Sequence, residues 1–552
     1  MTLPDPRTAG RLLELRARET PEREAVVFGA QRLTYHALWH RACEFARGLL
    51  RLGIGRGDHV ALLMSNRPEW LVANFGCALI GAPLVAMSTW ARRLEIEYIL
   101  RQSDAVTLIV MRRFLSVDYL ELLAGLCPEI GAAAPGALGS ARFPRLREVI
   151  MLGPAEAKGI RRFEDVEALG REVGEARLRE AASRVDPRDI LYILYTSGTT
   201  AAPKGVMLAH YGCIKNGFNI GERQHLGPAD RLWLAVPLFW SFGSANATMA
   251  LMGHGGTIVL QERFDPEEAI GLISAERCTV YYGMPNMALA MLQEPLWGTL
   301  DTSSLRTGLT IGTPEELEMT MHELGVREVC NVYGATETYG NTSVTDAHDP
   351  PEIRCTTQGR SLPGMTVKFV DPESRKPLPR GEAGEICVKG YVTPGYYNAP
   401  ELNAQAFDGE GYFITGDLGV VDEDGRIRFR GRLKDMIKSG GINISPLEVE
   451  EYLVAHPKVL QAFVVGVPDP AKGEVPLAVI ELRPGHTATA VEIRAFCREG
   501  VSSYKIPAYV VFRKGPDLPR TATGKVQKTR LREEMTALME QGGLGAGEEG
   551  QG

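Results

Sequence analysis

From about residue 30 to residue 340, short apolar runs recur with helix-length segments between several of them. This alternation limits the architecture more than any other feature of the chain. The runs at 190–195, 232–237, 257–260, 280–282, 309–311 and 329–333 read as buried strands, because brief apolar stretches bounded by turn residues are what a sheet covered on both faces requires. Strands alternating with helices predict α/β layers with much parallel sheet. After about Thr357 the texture changes: segments at 366–370, 384–388, 419–421 and 426–430 are short and turn-broken, with Asp424-Gly425 as a hairpin turn. A compact β-rich subdomain is expected there.

A third texture follows the polar stretch Gly431-Arg432-Leu433-Lys434-Asp435. Ser445-Pro446-Leu447-Glu448 reads as a helix start, with Ser as N-cap, Pro in the first turn and Glu three residues on. Strands at 462–467 and 477–482 and a helix near 490–498 complete a small α+β unit. The expected organisation is a large N-terminal domain over 1–431, made of layered α/β sheets plus the β-rich subdomain, a connecting segment at 432–435, and a C-terminal domain over 436–535. The Gly/Glu-rich remainder, 536–552, reads as a disordered tail. At 552 residues, the chain has length for several cores.

A net charge of −7, from 61 basic and 68 acidic residues, argues against a dedicated nucleic-acid partner. Nine cysteines without a CxxC pair point to reduced thiols in the cytoplasm rather than to disulfides or a zinc site. The N-terminal residues lack a signal-peptide profile, and the most apolar stretch, 74–87, is too short and too interrupted by Gly and Pro for a membrane span.

The most informative segment is Thr196-Ser197-Gly198-Thr199-Thr200-Ala201-Ala202-Pro203-Lys204-Gly205-Val206, placed after a strand and, on this reading, before a helix. Four hydroxyls, exposed amides and a lysine suit a polyphosphate. No GxxxxGK[ST] loop occurs in the chain. The full string resembles the signature loop of the adenylate-forming superfamily (acyl-CoA synthetases, luciferases and nonribosomal adenylation domains), with Ala201 where that family usually has Gly. Further segments recur in the family's order, so the resemblance spans roughly residues 30–535. Tyr333-Gly334-Ala335-Thr336-Glu337 is similar to its adenine and metal segment. The resemblance implies Tyr333 against adenine, with Asn331 upstream, Thr336 at the α-phosphate and Glu337 on Mg²⁺. Gly312-Thr313-Pro314 matches a loop edging the adenine. Tyr412-Phe413-Ile414-Thr415-Gly416-Asp417-Leu418 resembles the ribose segment, with Arg432 expected to join Asp417. Pro519-Arg520-Thr521-Ala522-Thr523-Gly524-Lys525-Val526 matches the catalytic-lysine loop.

This resemblance implies an AMP-forming acid–thiol ligase. A carboxylate attacks the α-phosphorus of ATP, pyrophosphate leaves, and the acyl group passes to coenzyme A. Lys525 and Mg²⁺ neutralise charge in the first step. Family members then rotate the small, mobile domain about a hinge, here at Lys434, so that Lys438-Ser439-Gly440-Gly441 lines the thiol tunnel. Phe239-Trp240 resembles the gate to the acid pocket, with Trp where many members have His. Tyr282, Met284, Ile311, Tyr339 and Asn341 are further pocket candidates, and an apolar, aromatic lining suits a fatty, alicyclic or aryl acid. A homodimer is compatible with this reading. An amino-acid activator is disfavoured, because Phe239-Trp240-Ser241 lacks the Asp that holds an α-ammonium. A carrier-protein ligase would keep every ATP motif, a luciferase-like oxygenase shares them, and a non-catalytic nucleotide sensor would have no need of Lys525, Glu337 and Asp417.

Overall fold

The computed structural model describes residues 7–196, 203–439, 442–470, 472–501, 503–521 and 525–541. Ser197, Gly198, Thr199, Thr200, Gly440, Gly441 and the tail from Gly542 onward lie outside them. The chain divides into two compact units, Met1–Val367 with Val388–Phe413, and Lys368–Cys387 with Ile414–Gly552. The β-rich sheet therefore clusters mainly with the C-terminal residues, whereas its sequence texture had grouped it with the N-terminal domain.

Two large sheets build the first unit. One has nine strands, and its parallel centre runs Glu328–Tyr333, Thr307–Thr310, Val280–Tyr282, Arg231–Leu234, Thr257–Leu260 and Glu24–Phe28. The other has seven, in the order Lys204–Ala209, Ile190–Thr196, Leu84–Met87, Val60–Leu63, Thr107–Met111, Glu148–Leu152 and Ile160–Arg162. Every residue of Val60–Leu63, Leu84–Met87 and Thr107–Met111 is buried. Continuous apolar runs of this kind belong to parallel strands covered on both faces.

A helix does follow the phosphate segment, though not at once. Lys204–Ala209 is a strand paired antiparallel with Ile190–Thr196, and the helix begins only at His210. The strand's partner supplies the hydrogen bonds that a helix would have made internally.

In the second unit, Phe413–Val421 and Ile427–Arg432 form the expected hairpin, with Gly425 at φ +80° in the turn. A five-stranded sheet follows, built on Val459–Asp469 and Gly473–Leu482. Its two faces follow from strand alternation. Ala462, Val464, Ala478 and Ile480 pack with Val449 and Leu453 of the helix Pro446–Val454 and with Ile493 and Cys497 of Ala490–Gly500. Val465, Val467, Leu477 and Val479 pack on the opposite face with Leu531 and Met535 of Lys528–Glu540. Lys525 sits just ahead of this last helix, and the next residue, Val526, packs in the same cluster. The strand at 477–482 was expected to start after Pro476. It runs through that proline instead, whose carbonyl accepts from Ala508 N at 2.8 Å. The helix at Pro446 starts as expected, but Ser445 does not cap it; the Ser445 hydroxyl donates to the Arg430 carbonyl. Glu448, expected to complete a capping box, pairs with Lys505.

All nine cysteines are free thiols, and all but Cys43 are buried. Among the described residues, no helix is long and apolar enough to cross a membrane.

Candidate active site

Three of the motifs and the pocket candidate Met284 lie at one edge of the nine-stranded sheet. Arg231–Leu234, Val280–Tyr282, Thr307–Thr310 and Glu328–Tyr333 run parallel, so their C-terminal ends share that edge. The segments carrying Phe239-Trp240, Met284, Ile311–Pro314 and Gly334–Glu337 leave from those ends. Loops beyond the carboxyl ends of parallel strands are where α/β folds bind ligands. A side chain on Gly334 would bring its Cβ within 2.2 Å of the Gly340 carbonyl oxygen, so the turn after Tyr333 needs a residue without one.

The phosphate segment reaches the same group of residues through a strand pairing. Thr196 and Lys204 face each other across the hairpin. Residues 393–397 run alongside the second strand, with Tyr397 N donating to Gly205 O at 2.8 Å and Met207 N to Gly395 O at 3.1 Å. This alignment puts the Tyr396 ring 5.5 Å from Lys204 Nζ and lets the Tyr396 hydroxyl donate to Glu337 Oε1 at 2.9 Å. Thr393 N holds the Glu337 carbonyl at 2.7 Å. Burial, followed by the Glu337 charge, pushes the Tyr396 phenol far above its usual range, so it remains a donor. Nothing in the local sequence marks Tyr396; its role comes from a pairing almost 200 residues away in the chain.

Thr336 begins a short 3₁₀ turn, and its hydroxyl lies 3.4 Å from that of Ser241 in the gate segment. Thr313 caps the helix Pro314–His322, with Thr313 N donating to the Glu316 carboxylate at 2.8 Å. This leaves Gly312 at the strand–helix turn. Asn331 is fully buried; its Oδ1 accepts from Val332 N at 2.9 Å, while its Nδ2 has no hydrogen-bond partner among the described residues. Asn341 Nδ2 is in the same condition. Buried donors of this kind are rare in folded chains and suit a polar ligand.

Trp240, Tyr282 and Tyr339 contact a π-helical turn, Phe242–Thr248. Such turns are rare and recur at functional sites. Trp240 and Phe239 both pack edge-on against Trp90, with ring centres 5.2 and 5.3 Å away. Tyr282 meets Phe242 at 5.3 Å, and its hydroxyl accepts from Gln224 Nε2 at 2.7 Å. Asn246 donates to the Tyr339 carbonyl at 2.6 Å and to Asn216 Oδ1 at 3.1 Å, and Asn216 donates to the Asn341 carbonyl at 2.7 Å. Tyr339 itself is buried, and its phenol accepts from Ala209 N at 3.0 Å. Met284 stands ahead of the helix Pro285–Leu292, and Ile311 is 46% exposed, unusual for an isoleucine beside buried strands. Trp90, Gln224, Asn216 and Asn246 carry no motif and escape sequence reading.

The second unit holds the remaining candidates. Asp417 and Arg432 are paired across the hairpin, with Arg432 Nε 3.3 Å from Asp417 Oδ1. Asp417 is almost wholly buried while the Arg432 side chain is 48% exposed. Lys434 lies in the 3₁₀ turn Leu433–Asp435, between the two sheets in sequence, and Lys438 is an exposed residue of the strand Ile437–Ser439. Lys525 is held by a close turn: Thr521 N donates to Lys525 O at 2.8 Å and Lys525 N to the Thr521 hydroxyl at 3.2 Å. Loss of water, then repulsion by Arg432 and Lys528, lowers the Lys525 ammonium below the usual lysine range, against the pull of Asp417 and Asp435. The Lys525 side chain is exposed, so solvent screens these interactions.

Residues 13–397 match the AMP-binding enzyme family, and residues 448–525 match the AMP-binding enzyme C-terminal domain. The chain is 40% identical over 532 residues to the putative acyl-CoA synthetase YngI of Bacillus subtilis, covering 95% of this chain and 96% of that one. It is 34% identical to the mitochondrial medium-chain acyl-CoA ligase ACSF2 of Bos taurus, over 96% of this chain and 88% of that one. Among solved structures, ATP-bound MatB from Rhodopseudomonas palustris superposes with a TM-score of 0.83 at 28% identity, covering 96% of this chain and 99% of that one.

Proposed function

Because the chain belongs to the AMP-binding enzymes, we propose that it is an AMP-forming acyl-CoA synthetase acting on medium-chain fatty acids. In this reading ATP and the acid form an acyl-adenylate and pyrophosphate, and the CoA thiol then displaces AMP to give acyl-CoA. The observation that carries it is the Lys204–Tyr396–Glu337 group, a cation, a neutral donor and a carboxylate joined at the edge where Tyr333 and Thr336 also lie. The acid class rests on the gate, whose three rings, Trp90, Phe239 and Trp240, offer an apolar wall, and on the medium-chain activity named for ACSF2.

The chemistry asks for charge neutralisation more than for covalent help, since a carboxylate must approach a polyphosphate. Lys204 and Thr196 flank the phosphate loop, Thr336 donates to the α-phosphate, and Tyr333 with Asn331 meets the base. Asp417 accepts from the ribose hydroxyls, with Arg432 beside it. Lys525 bridges the carboxylate and the α-phosphate. Glu337, with Oε1 fixed by Tyr396, presents a hard oxygen that fits Mg²⁺. When bound, that ion supplies positive charge to the phosphate oxygens. For the second step, the 432–435 segment serves as the pivot on which residues 436–535 turn, removing Lys525 and presenting Lys438 with the 440–441 glycines to the thiol.

Acid-dependent AMP release, measured with and without CoA over fatty, aryl, alicyclic and amino acids, tests this. Turnover greatest with CoA and medium-chain fatty acids is expected. AMP release that ignores CoA, or that follows amino acids, would overturn it.

A further inference from the structure

One cluster of metal-ligating side chains stands apart from every motif used above. The helix His210–Arg223 is followed by Gln224 and His225, and the strand Ser343–Val344 is followed two residues on by Asp346 and His348. Backbone contacts hold the two segments together. Ala347 N donates to Arg223 O at 2.8 Å, and Arg306 Nη2 donates to the His225 carbonyl at 3.2 Å. Within the second segment, His348 N donates to Asp346 Oδ1 at 3.0 Å and Asp346 N to Asp349 Oδ2 at 2.9 Å. His225 adopts φ +51°, a left-handed conformation uncommon outside glycine, which persists where the surroundings fix it.

This framework brings one ring nitrogen from each histidine and one Asp346 oxygen within 4.8 Å of one another. His225 Nε2 is 2.8 Å from Asp346 Oδ1, and the two imidazoles stack at 3.8 Å with an 11° tilt. Ligand atoms on one tetrahedral ion stand about 3.3 Å apart, given metal–nitrogen bonds of about 2.0–2.1 Å. To hold one ion, His225 Nε2 and Asp346 Oδ1 must open slightly from 2.8 Å, and the stacked rings must tilt apart so that both nitrogens aim at one point; both rings are exposed and Asp346 is partly so, which leaves room for these side-chain rotations. Two imidazoles and a carboxylate suit zinc, nickel or copper, whereas magnesium and calcium prefer all-oxygen sets. Arg223 Nη1, 3.8 Å from Asp346 Oδ2, opposes a cation and limits the affinity.

We propose that His225, Asp346 and His348 form a surface site for a divalent transition-metal ion of the zinc type, its remaining positions taken by water. The site is independent of the proposed synthetase activity. It has a structural neighbour of interest, because Gln224, adjacent to His225, holds the Tyr282 hydroxyl. A bound ion ties the end of the helix that carries this contact to the 346–348 turn.

The test is calorimetric titration of Zn²⁺ into the full chain, stripped with chelator and free of nucleotide and Mg²⁺. The expected result is one saturable site that raises the melting temperature. His348→Ala, an exposed substitution outside the nucleotide and acid machinery, should weaken binding at least about tenfold, the least that loss of an outer-sphere partner typically costs. It should also abolish the thermal shift and leave acid-dependent AMP release unchanged. Asp346→Asn and His225→Ala should weaken Zn²⁺ in the same way, and Co²⁺ should give a visible absorption band that His348→Ala removes. No saturable Zn²⁺ binding by the wild-type chain overturns the proposal, and so does binding that survives His348→Ala at undiminished affinity. In those cases the stacked pair with its Asp346 contact is a surface hydrogen-bonded cluster only.

Discussion

Tyr396→Phe isolates one hydrogen bond. The phenylalanine ring keeps the face that lies 5.5 Å from Lys204 Nζ, while the 2.9 Å donation to Glu337 Oε1 disappears. Hydrogen bonds to charged groups are worth about 1.5–3 kcal/mol. Glu337 is only partly buried, so water replaces the donor in the free enzyme and the folded state loses little. In the complex, the carboxylate has to hold one geometry against the polyphosphate, and there the missing donor is felt. If the full amount falls on the transition state, kcat/KM for ATP drops about 10- to 150-fold, because each 1.36 kcal/mol is a factor of ten. Acid-dependent exchange of labelled pyrophosphate into ATP reads this step without CoA. The Mg²⁺ concentration required should rise as well, since an unanchored Glu337 presents its oxygens less well. Tyr396→Ala, which also removes the ring beside Lys204, should be worse than Tyr396→Phe. Exchange kinetics in Tyr396→Phe indistinguishable from wild type, in both ATP and Mg²⁺ dependence, would refute the positioning role.

Lys525→Ala should reduce adenylation about 10²–10³-fold, the loss expected when a charge-stabilising donor leaves a reacting centre, while sparing thioester formation from supplied acyl-adenylate; equal loss of both steps sinks the separate roles. The Lys525 ammonium is lowered from 10.5, and the bridging role proposed for it needs its protonated form. The alkaline limb of kcat/KM, which reports the free enzyme, should therefore fall with a midpoint below 10.5, and a limb at or above that value contradicts the reading. Asp417→Ala should weaken ATP binding about 10- to 100-fold by calorimetry, as loss of a charged hydrogen-bonding partner does, with acid preference unchanged; unaltered affinity would make Asp417 a partner of Arg432 only. Trp240→Ala and Trp90→Ala should each shift the chain-length profile of the acids accepted. A lower melting temperature with an unchanged profile would leave the three rings a packing cluster.

Local chemistry made the parallel strands legible, because a strand covered on both faces must be apolar throughout: Val280–Tyr282 and Thr257–Leu260 have the bounds their sequence implies. Segments whose character is set by a distant partner were not legible. Lys204–Ala209 reads as the approach to a helix until Ile190–Thr196 is placed beside it. Ser445 has the residue type of an N-cap, yet Arg430, fifteen residues earlier, competes for its hydroxyl and wins. The motif residues of the candidate site declare their chemistry by type and order. The residues that position them, Tyr396 on Glu337 and Asn246 on Tyr339, are ordinary in sequence and acquire a function only through contacts 59 and 93 residues away.

Charge placement in the second unit adds a constraint on how the proposed reaction can be ordered. The chain is net negative, at −7, yet loss of water together with Arg432 and Lys528 lowers the Lys525 ammonium, against the pull of Asp417 and Asp435. Like charges held together raise the energy of the unliganded state, and an anion placed among them lowers it again. Their repulsion is thus a standing preference for a negatively charged guest, set by the fold before any ligand arrives. ATP and the acid together bring the most negative charge to the site, and departure of pyrophosphate removes much of it. In the proposed reaction, an anion beside Lys525 is therefore most favoured before pyrophosphate leaves. That order suits a lysine needed while the mixed anhydride forms and not when the thiol enters.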